Sequence, residues 1–235
     1  MIKYGGVDLT DIAPVKIDDI DVSPIQFSPV ARQRSIAFGA DFLRMGGGSR
    51  SVTVTFALLT NDLAEREQYM QQIRDWAQVA KETTLELPHF DNRYLECVCT
   101  AHPEPSYRKW WEARLRLVFT CFNNPYWTSN QIIEVPCGQL FSIGGSAQPV
   151  MVIERNGIIP LSDQVYTEQN GEGVIRFSQI PAGNLVIDLN RQTAGIGGVS
   201  IMQFYNPSSV WIVPKIGSNQ IITGNGTIKY RERWL

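Results

Sequence analysis

Long apolar runs are missing from this chain. No segment approaches the run of about 18 apolar residues that a membrane-spanning helix needs, and the opening MIKYGGVDLTD lacks the apolar centre of a secretory signal. The expectation is a soluble protein made in a cytoplasm, with no membrane partner. A basic surplus is missing as well. Lys and Arg total 21 against 23 Asp and Glu, a net charge of −2. That balance excludes a nucleic-acid binder that works by phosphate neutralisation, because no cationic excess exists to release counterions. Histidine is scarce, with only His89 and His102. His102 lies near Glu104, yet no nucleophile or carboxylate pair accompanies it for acid–base work.

The four cysteines, Cys97, Cys99, Cys121 and Cys137, are too few and too scattered over 235 residues for a disulfide scaffold. Zinc sites use C-x₂₋₄-C spacing and four ligands. Cys97 and Cys99 make only a C-x-C, and two residues apart on a strand they share a face as small core fillers. Gly46-Gly47-Gly48 lack the lysine and the spacing of a phosphate loop. No cofactor, metal or catalytic residue is expected.

What is present is strand pattern. Hydrophobic residues make up 43 % and charged residues 19 %, the composition of a low-charge globular protein with room for one large or two small domains. In ARLRLVFTCFNNPYW, from Ala113 to Trp127, Leu115, Leu117, Phe119 and Cys121 alternate with Arg114, Arg116, Val118 and Thr120. A period of two sends the two sets to opposite faces of a sheet. Asn123-Asn124-Pro125 then breaks the strand, since proline has no ladder N–H, and Tyr126 and Trp127 are large enough to plug the end of a core. This stop is read as a domain boundary, giving domains at 1–128 and 129–235.

Upstream, Arg50 to Leu58 alternates cleanly, with Val52, Val54, Phe56 and Leu58 on one face. Asp62 with Glu65 has the form of a capping box. From there Tyr69, Met70, Ile73, Trp76, Ala77 and Ala80 make a helical apolar stripe, with Arg66 among the residues of the wet face. Asp8 to Asp21 reads as an edge strand or loop, Arg32 to Phe38 as a short strand, and Gly39 to Ser49 as a long, mobile hairpin loop of the kind that often makes contacts. Strands are expected at 85–88 and 94–101. The first domain is therefore α+β: strands, one helix, then strands.

Downstream, short apolar segments recur about every ten residues between turn signals, with no helix pattern, which predicts an all-β sandwich. Asn156-Gly157 is a hairpin signal. Strands are expected at 132–135, 149–154, 171–177, 185–189, 199–205, 210–213, 221–223 and 227–231. Asp188 is expected to bond backbone or an arginine. Tyr205 and Trp211 are aromatics that could stack on sugar, with core packing as the plainer role. The whole is mainly β.

Several stretches, taken in order, resemble the distal tail (Dit) proteins of long non-contractile-tailed phages. They are IKYGGVDLTD at the start, the strand–helix unit at 51–80, and CFNNPYW at 121–127. Later come Gly144-Gly145-Ser146 with Pro149, GNLVIDLNR at 183–191, Trp211 with Pro214, Gly217, Asn219 and Ile221, and IKYRERWL at 228–235. The chain departs from the family at 39–49, where GADFLRMGGGS replaces a short Gly-Arg-Asp-Gly-like turn. The resemblance implies a tail-tube-like first domain, a β-sandwich or barrel with one helix, forming a homo-hexameric ring around the DNA channel. It also implies a galectin-like β-sandwich on the outside, with residues 230–235 returning to the first domain. The implied role is a virion hub without enzymatic activity. Its partners are the tail tube protein and a tail-associated lysin, fibre hub or receptor-binding protein, with DNA only as passing cargo. Phe42, Leu43, Arg44, Met45 and Arg50 are the expected ring contacts. The alternatives are a carbohydrate-binding module using Tyr205 and Trp211, and a wall hydrolase, which would need a carboxylate pair or a metal site, neither of which the sequence offers.

Overall fold

The computed structural model describes residues 1–33, 40–101, 106–109, 112–158, 164–168, 172–178 and 180–235; the side chains of 28–33, 40–47, 106–109, 158 and 222 lie outside that description. The chain is mainly β and divides into two compact units, Met1–Trp127 and Thr128–Leu235.

The first unit runs β1 (Lys3–Tyr4), β2 (Val7–Asp8), α1 (Leu9–Ile12), β3 (Val15–Val22), β4 (Gln26–Gln33), β5 (Ala40–Leu59), α2 (Leu63–Ala77), β6 (Thr83–Glu86), β7 (Arg93–Ala101), β8 (Ser106–Lys109) and β9 (Glu112–Cys121). All pairings are antiparallel. The order across the sheet is β2-β1-β6-β7-β9-β5-β3, with β8 beside the start of β9. The alternation read from sequence sets the register. Val52 lies opposite Phe119, Val54 opposite Leu117 and Phe56 opposite Leu115, and these six side chains are at most 1 % exposed.

Helix α2 is capped as its sequence predicts, with one change. Asp62 Oδ1 accepts from the Glu65 N–H at 2.8 Å, but Glu65 Oε2 reaches past the cap residue to the Asn61 N–H, also at 2.8 Å. Met70, Ile73 and Ala77 are buried, while Tyr69 and Trp76 are half-buried. The helix stops at Ala77, so Ala80 lies beyond it. Arg66, expected on the wet face, is buried; a long side chain can cover apolar surface while its head finds a partner. The four-residue α1 interrupts the expected strand or loop after Asp8. Its cap is Asp8, whose Oδ1 accepts from the Thr10 N–H and hydroxyl at 2.9 and 2.7 Å.

Strand β10 (Trp127–Ser129) spans the division. The second unit contains β11 (Ile133–Pro136), β12 (Leu140–Ile143), β13 (Ala147–Ile158), β14 (Gln164–Glu168), β15 (Val174–Phe177), β16 (Gly183–Asp188), β17 (Thr193–Ile196), β18 (Val199–Ser200), β19 (Gly217–Thr223) and β20 (Thr227–Trp234). One sheet has the order β18-β17-β16-β13-β20-β11. The other has the order β12-β19-β14-β15. Met151, Ile153, Leu185, Ile187, Ile228 and Tyr230 from the first meet Phe141, Tyr166, Ile175, Phe177 and Ile221 from the second in one core, as a sandwich requires. Tyr230, at the start of the segment that the resemblance sends back to the first domain, is 3 % exposed in this core, and β20 pairs with β13 and β11.

Three local expectations need correction. Asn156-Gly157 does not turn β13 into a hairpin. It forms an irregularity within the strand, after which Ile158 still pairs with Gly183 of β16. The Asn184 side chain accepts from the Gly157 N–H at 3.1 Å. The expected strand at 199–205 ends at Ser200 and becomes a 3₁₀ turn at Met202–Phe204. Residues 210–213 form no strand; Val210 makes a single bridge to Val174. Asp188 behaves as expected: its Oδ1 accepts from the Asn190 and Arg191 N–H groups at 3.0 and 2.9 Å.

Phe56 is completely buried between β9 and β3 neighbours. Phe56→Ala is expected to destabilise the first unit by about 3–5 kcal/mol, measured by urea unfolding followed through tryptophan fluorescence.

Candidate functional site

The ring contacts expected from the sequence fall on an arm of sheet, not on a loop. Strand β5 is 20 residues long. Its second half, 50–59, is flanked by β9, with β3 on the other side of 52–58. Its first half, from Ala40 to Ser49, pairs with β4 from Gln33 back to Gln26 and, among the described residues, has no second neighbour. The arm is therefore a two-stranded antiparallel ribbon that continues past the end of β9. The backbone of Phe42, Arg44 and Met45 pairs with Ala31, Val30 and Pro29, and Leu43 sits at a register shift. The side chains of 42–45 lie outside the described residues, as does most of the short strand expected at 32–38.

Glycine in this stretch suggested a loop for good local reasons, but packing explains one of the three. A Cβ on Gly48 would lie 2.5 Å from Ile25 Cγ2 and 3.0 Å from the Phe27 ring. Gly48 is thus the place where a strand passes beneath two apolar side chains of its partner segment.

Arg50 stands at the root of the arm, opposite Cys121. It is 6 % exposed, and its Nε and Nη1 have no hydrogen-bond acceptor among the described residues. Burial pushes the guanidinium below its usual pKa, against smaller opposing effects of Cys121 and Tyr126. A buried cation without a carboxylate is costly to an isolated subunit.

The strand stop after β9 is pinned by Glu82. Its Oε1 accepts from the Phe122 and Asn123 N–H groups at 3.0 and 3.2 Å, and its Oε2 from the Asn123 side-chain amide at 2.6 Å. The Asn124 side chain then accepts from the Tyr126 N–H at 3.3 Å. Trp127 is 3 % exposed and stacks on Phe90 with centroids 4.0 Å apart. Sequence pattern found the proline and the plug but not Glu82, which arrives from 40 residues upstream.

In the second unit Tyr205 and Trp211 stack on each other, 5.2 Å apart with planes 12° apart, and Phe177 meets Tyr205 edge-on at 5.8 Å. Both are half-buried against the sandwich core, so one face of each ring is already occupied. A polar cleft of about 380 Å³ lies among Glu134, Glu154, Arg155, Asn225, Thr227 and Lys229. Its carboxylates are bridged by one ammonium, with Lys229 Nζ 3.2 Å from Glu134 and 2.9 Å from Glu154. They are not a free acid–base pair. Hydrogen bonds to Glu154 and then Glu134 hold the Lys229 pKa above its usual value. Among the described residues no three His, Cys, Asp or Glu side chains gather as a metal site, and no helix is long and apolar enough to cross a membrane. His102 and Glu104 lie outside the described residues. All four cysteines are free thiols.

Glu82→Ala removes three accepted hydrogen bonds to the stop. It is expected to cost about 1–3 kcal/mol, with the earliest loss of amide protection at 122–123 in hydrogen exchange.

No protein-family model and no curated protein matches the chain. Among solved structures, it is similar to the crystal structure of the SPP1 Dit protein, described as a paradigm of the hub adsorption apparatus in phages that infect Gram-positive bacteria. The TM-score is 0.77 at 13 % identity, covering 100 % of this chain and 98 % of that one. It is also similar to chains of the phage P2 baseplate in its activated conformation, with Ca and with Sr. Both have TM-score 0.50, at 13 % and 14 % identity, covering 96 % of this chain and 92 % of those. The chain has the Dit fold along its whole length.

Proposed function

We propose that the protein is a structural hub of a phage tail tip, closing with copies of itself into a hexameric ring that joins the tail tube to the host-recognition apparatus. The observation that carries this reading is the fold likeness to the SPP1 Dit hub protein, which spans both units. The first unit, ending with the strand stop, forms the ring; the second is a galectin-like sandwich carried outside it. Its partners are the tail tube protein and a tail-associated lysin, fibre hub or receptor-binding protein. The protein resides in the virion, and DNA passes through the ring as cargo.

Three physical features support this. A ring of identical subunits needs two different, complementary surfaces on each copy, and a ribbon of β4 and β5 with unpaired edges is a surface that a neighbouring sheet edge can complete. A net charge of −2 suits a conduit that does not retain DNA. In the polar cleft of the second unit Glu134 and Glu154 are both engaged by Lys229, which fits a structural part without enzymatic activity. Phe42, Leu43, Arg44, Met45 and Arg50 form the contact, and ring closure supplies the acceptor that Arg50 lacks.

Light scattering on purified protein is expected to give six times the 26.4 kDa subunit mass; a strict monomer at high concentration, with tube protein added, contradicts the reading. Arg50→Met separates the two roles of the arginine. The isolated subunit is expected to be equally stable or more stable, by about 1–4 kcal/mol, while the ring dissociates at higher concentration than the parent ring. Loss of subunit stability with an unchanged ring would place Arg50 outside the interface.

A further inference from the structure

Cys97 and Cys121 occupy the next position in register beyond the last pair of the β7–β9 ladder. The β7–β9 register places Val98 opposite Thr120 and Cys99 opposite Phe119, and one further step sets Cys97 against Cys121. The backbone polar groups of Cys97 point away from β9. Tyr4 Oη donates to the Cys97 carbonyl at 3.3 Å and accepts from the Cys99 N–H at 3.2 Å, so residues 97 and 99 turn their backbone toward Tyr4 and residue 98 turns its own toward β9. Cys97 and Cys121 therefore form a non-hydrogen-bonded pair, the closer of the two antiparallel arrangements, with Cα atoms about 4.5 Å apart. A disulfide spans about 4.4–6.8 Å between Cα atoms. Cys121 is the neighbour that most affects the Cys97 thiol, and both side chains are 0 % exposed.

We propose that Cys97 and Cys121 are a disulfide-forming pair that joins β7 to β9 when the reduced protein meets a disulfide oxidant. One thiolate attacks the oxidant's S–S bond, forming a mixed disulfide and releasing one thiol. The second protein thiolate attacks the mixed disulfide, the Cys97–Cys121 bond forms, and a second thiol leaves. The protein loses two protons and two electrons, which the oxidant gains as it becomes two thiols. Cys99 cannot take part with the same ease. It is two residues from Cys97 on one strand, about 6.6 Å along it, and its partner on β9 is Phe119. Cys137 belongs to the other unit.

The hydrogen bond to Cys121, and then burial, hold the Cys97 thiol well above its usual pKa. The closed pair is therefore unreactive, and exchange proceeds through opening of the β7–β9 edge. This makes the pair stable as thiols in a reducing cytoplasm and slow to oxidise outside it.

The test uses full-length protein incubated with oxidised glutathione, with and without sub-denaturing urea, then unfolded in N-ethylmaleimide and mapped by mass spectrometry. The expected product has lost two hydrogens, takes two maleimides where the reduced protein takes four, and yields one cross-linked peptide containing Cys97 and Cys121. Urea below the transition is expected to accelerate its formation, and Cys121→Ser to abolish it. Four labelled thiols at equilibrium, a glutathione adduct on Cys97 that is never displaced, or a link between any other pair would overturn the proposal.

Discussion

The first unit depends on one ladder. Strand β5 is longer than any strand it pairs with, so its neighbours divide it into a half held on two sides and a half held on one. Where β9 and β3 flank it, the inward residues are fully buried and the register admits no slip, because a one-residue shift would turn Val52, Val54 and Phe56 to solvent. From Ala40 to Ser49 its strand partner among the described residues is β4. The same continuous backbone hydrogen-bonding that builds the core is thereby carried beyond it as an arm. A root held on two sides and, among the described residues, an arm held on one side are what the proposed ring contact requires.

The end of β9 matters for the same reason. A strand that stops must satisfy the backbone groups it leaves behind, and the Glu82 carboxylate does so for Phe122 and Asn123. Asn124 then turns the chain, and Trp127 closes the core against Phe90. Charge, amide and ring act in sequence over six residues. Arg50 sits across the ladder from this stop, with no acceptor for its Nε and Nη1 among the described residues. The strand end thus brings a stacked aromatic plug and a buried arginine to the same part of the ladder.

How much of this was legible in the sequence depended on whether the cause was local. The alternation in β5 and β9, the Asp62 cap and the Met70–Ile73–Ala77 stripe are local periodicities, and they were read correctly. The arm is not legible in the sequence, because three glycines have the pattern of a loop and the packing of Ile25 and Phe27 over Gly48 is tertiary. Asn156-Gly157 was misread because a hairpin and an irregularity within a strand have the same dipeptide, and only the partner, here β16, distinguishes them. Arg66 was placed in water by its charge, yet burial of an arginine is decided by tertiary neighbours. The arm itself has no residue signature; among the described residues it begins where the pairing with β9 ends.

The central claim is that this subunit exists to close a ring with copies of itself. Negative-stain electron microscopy of the purified protein, imaged alone and with tail tube protein, tests that most directly. The account predicts annular projections with sixfold symmetry and a stain-filled centre. Fields of single subunits in both preparations would contradict it.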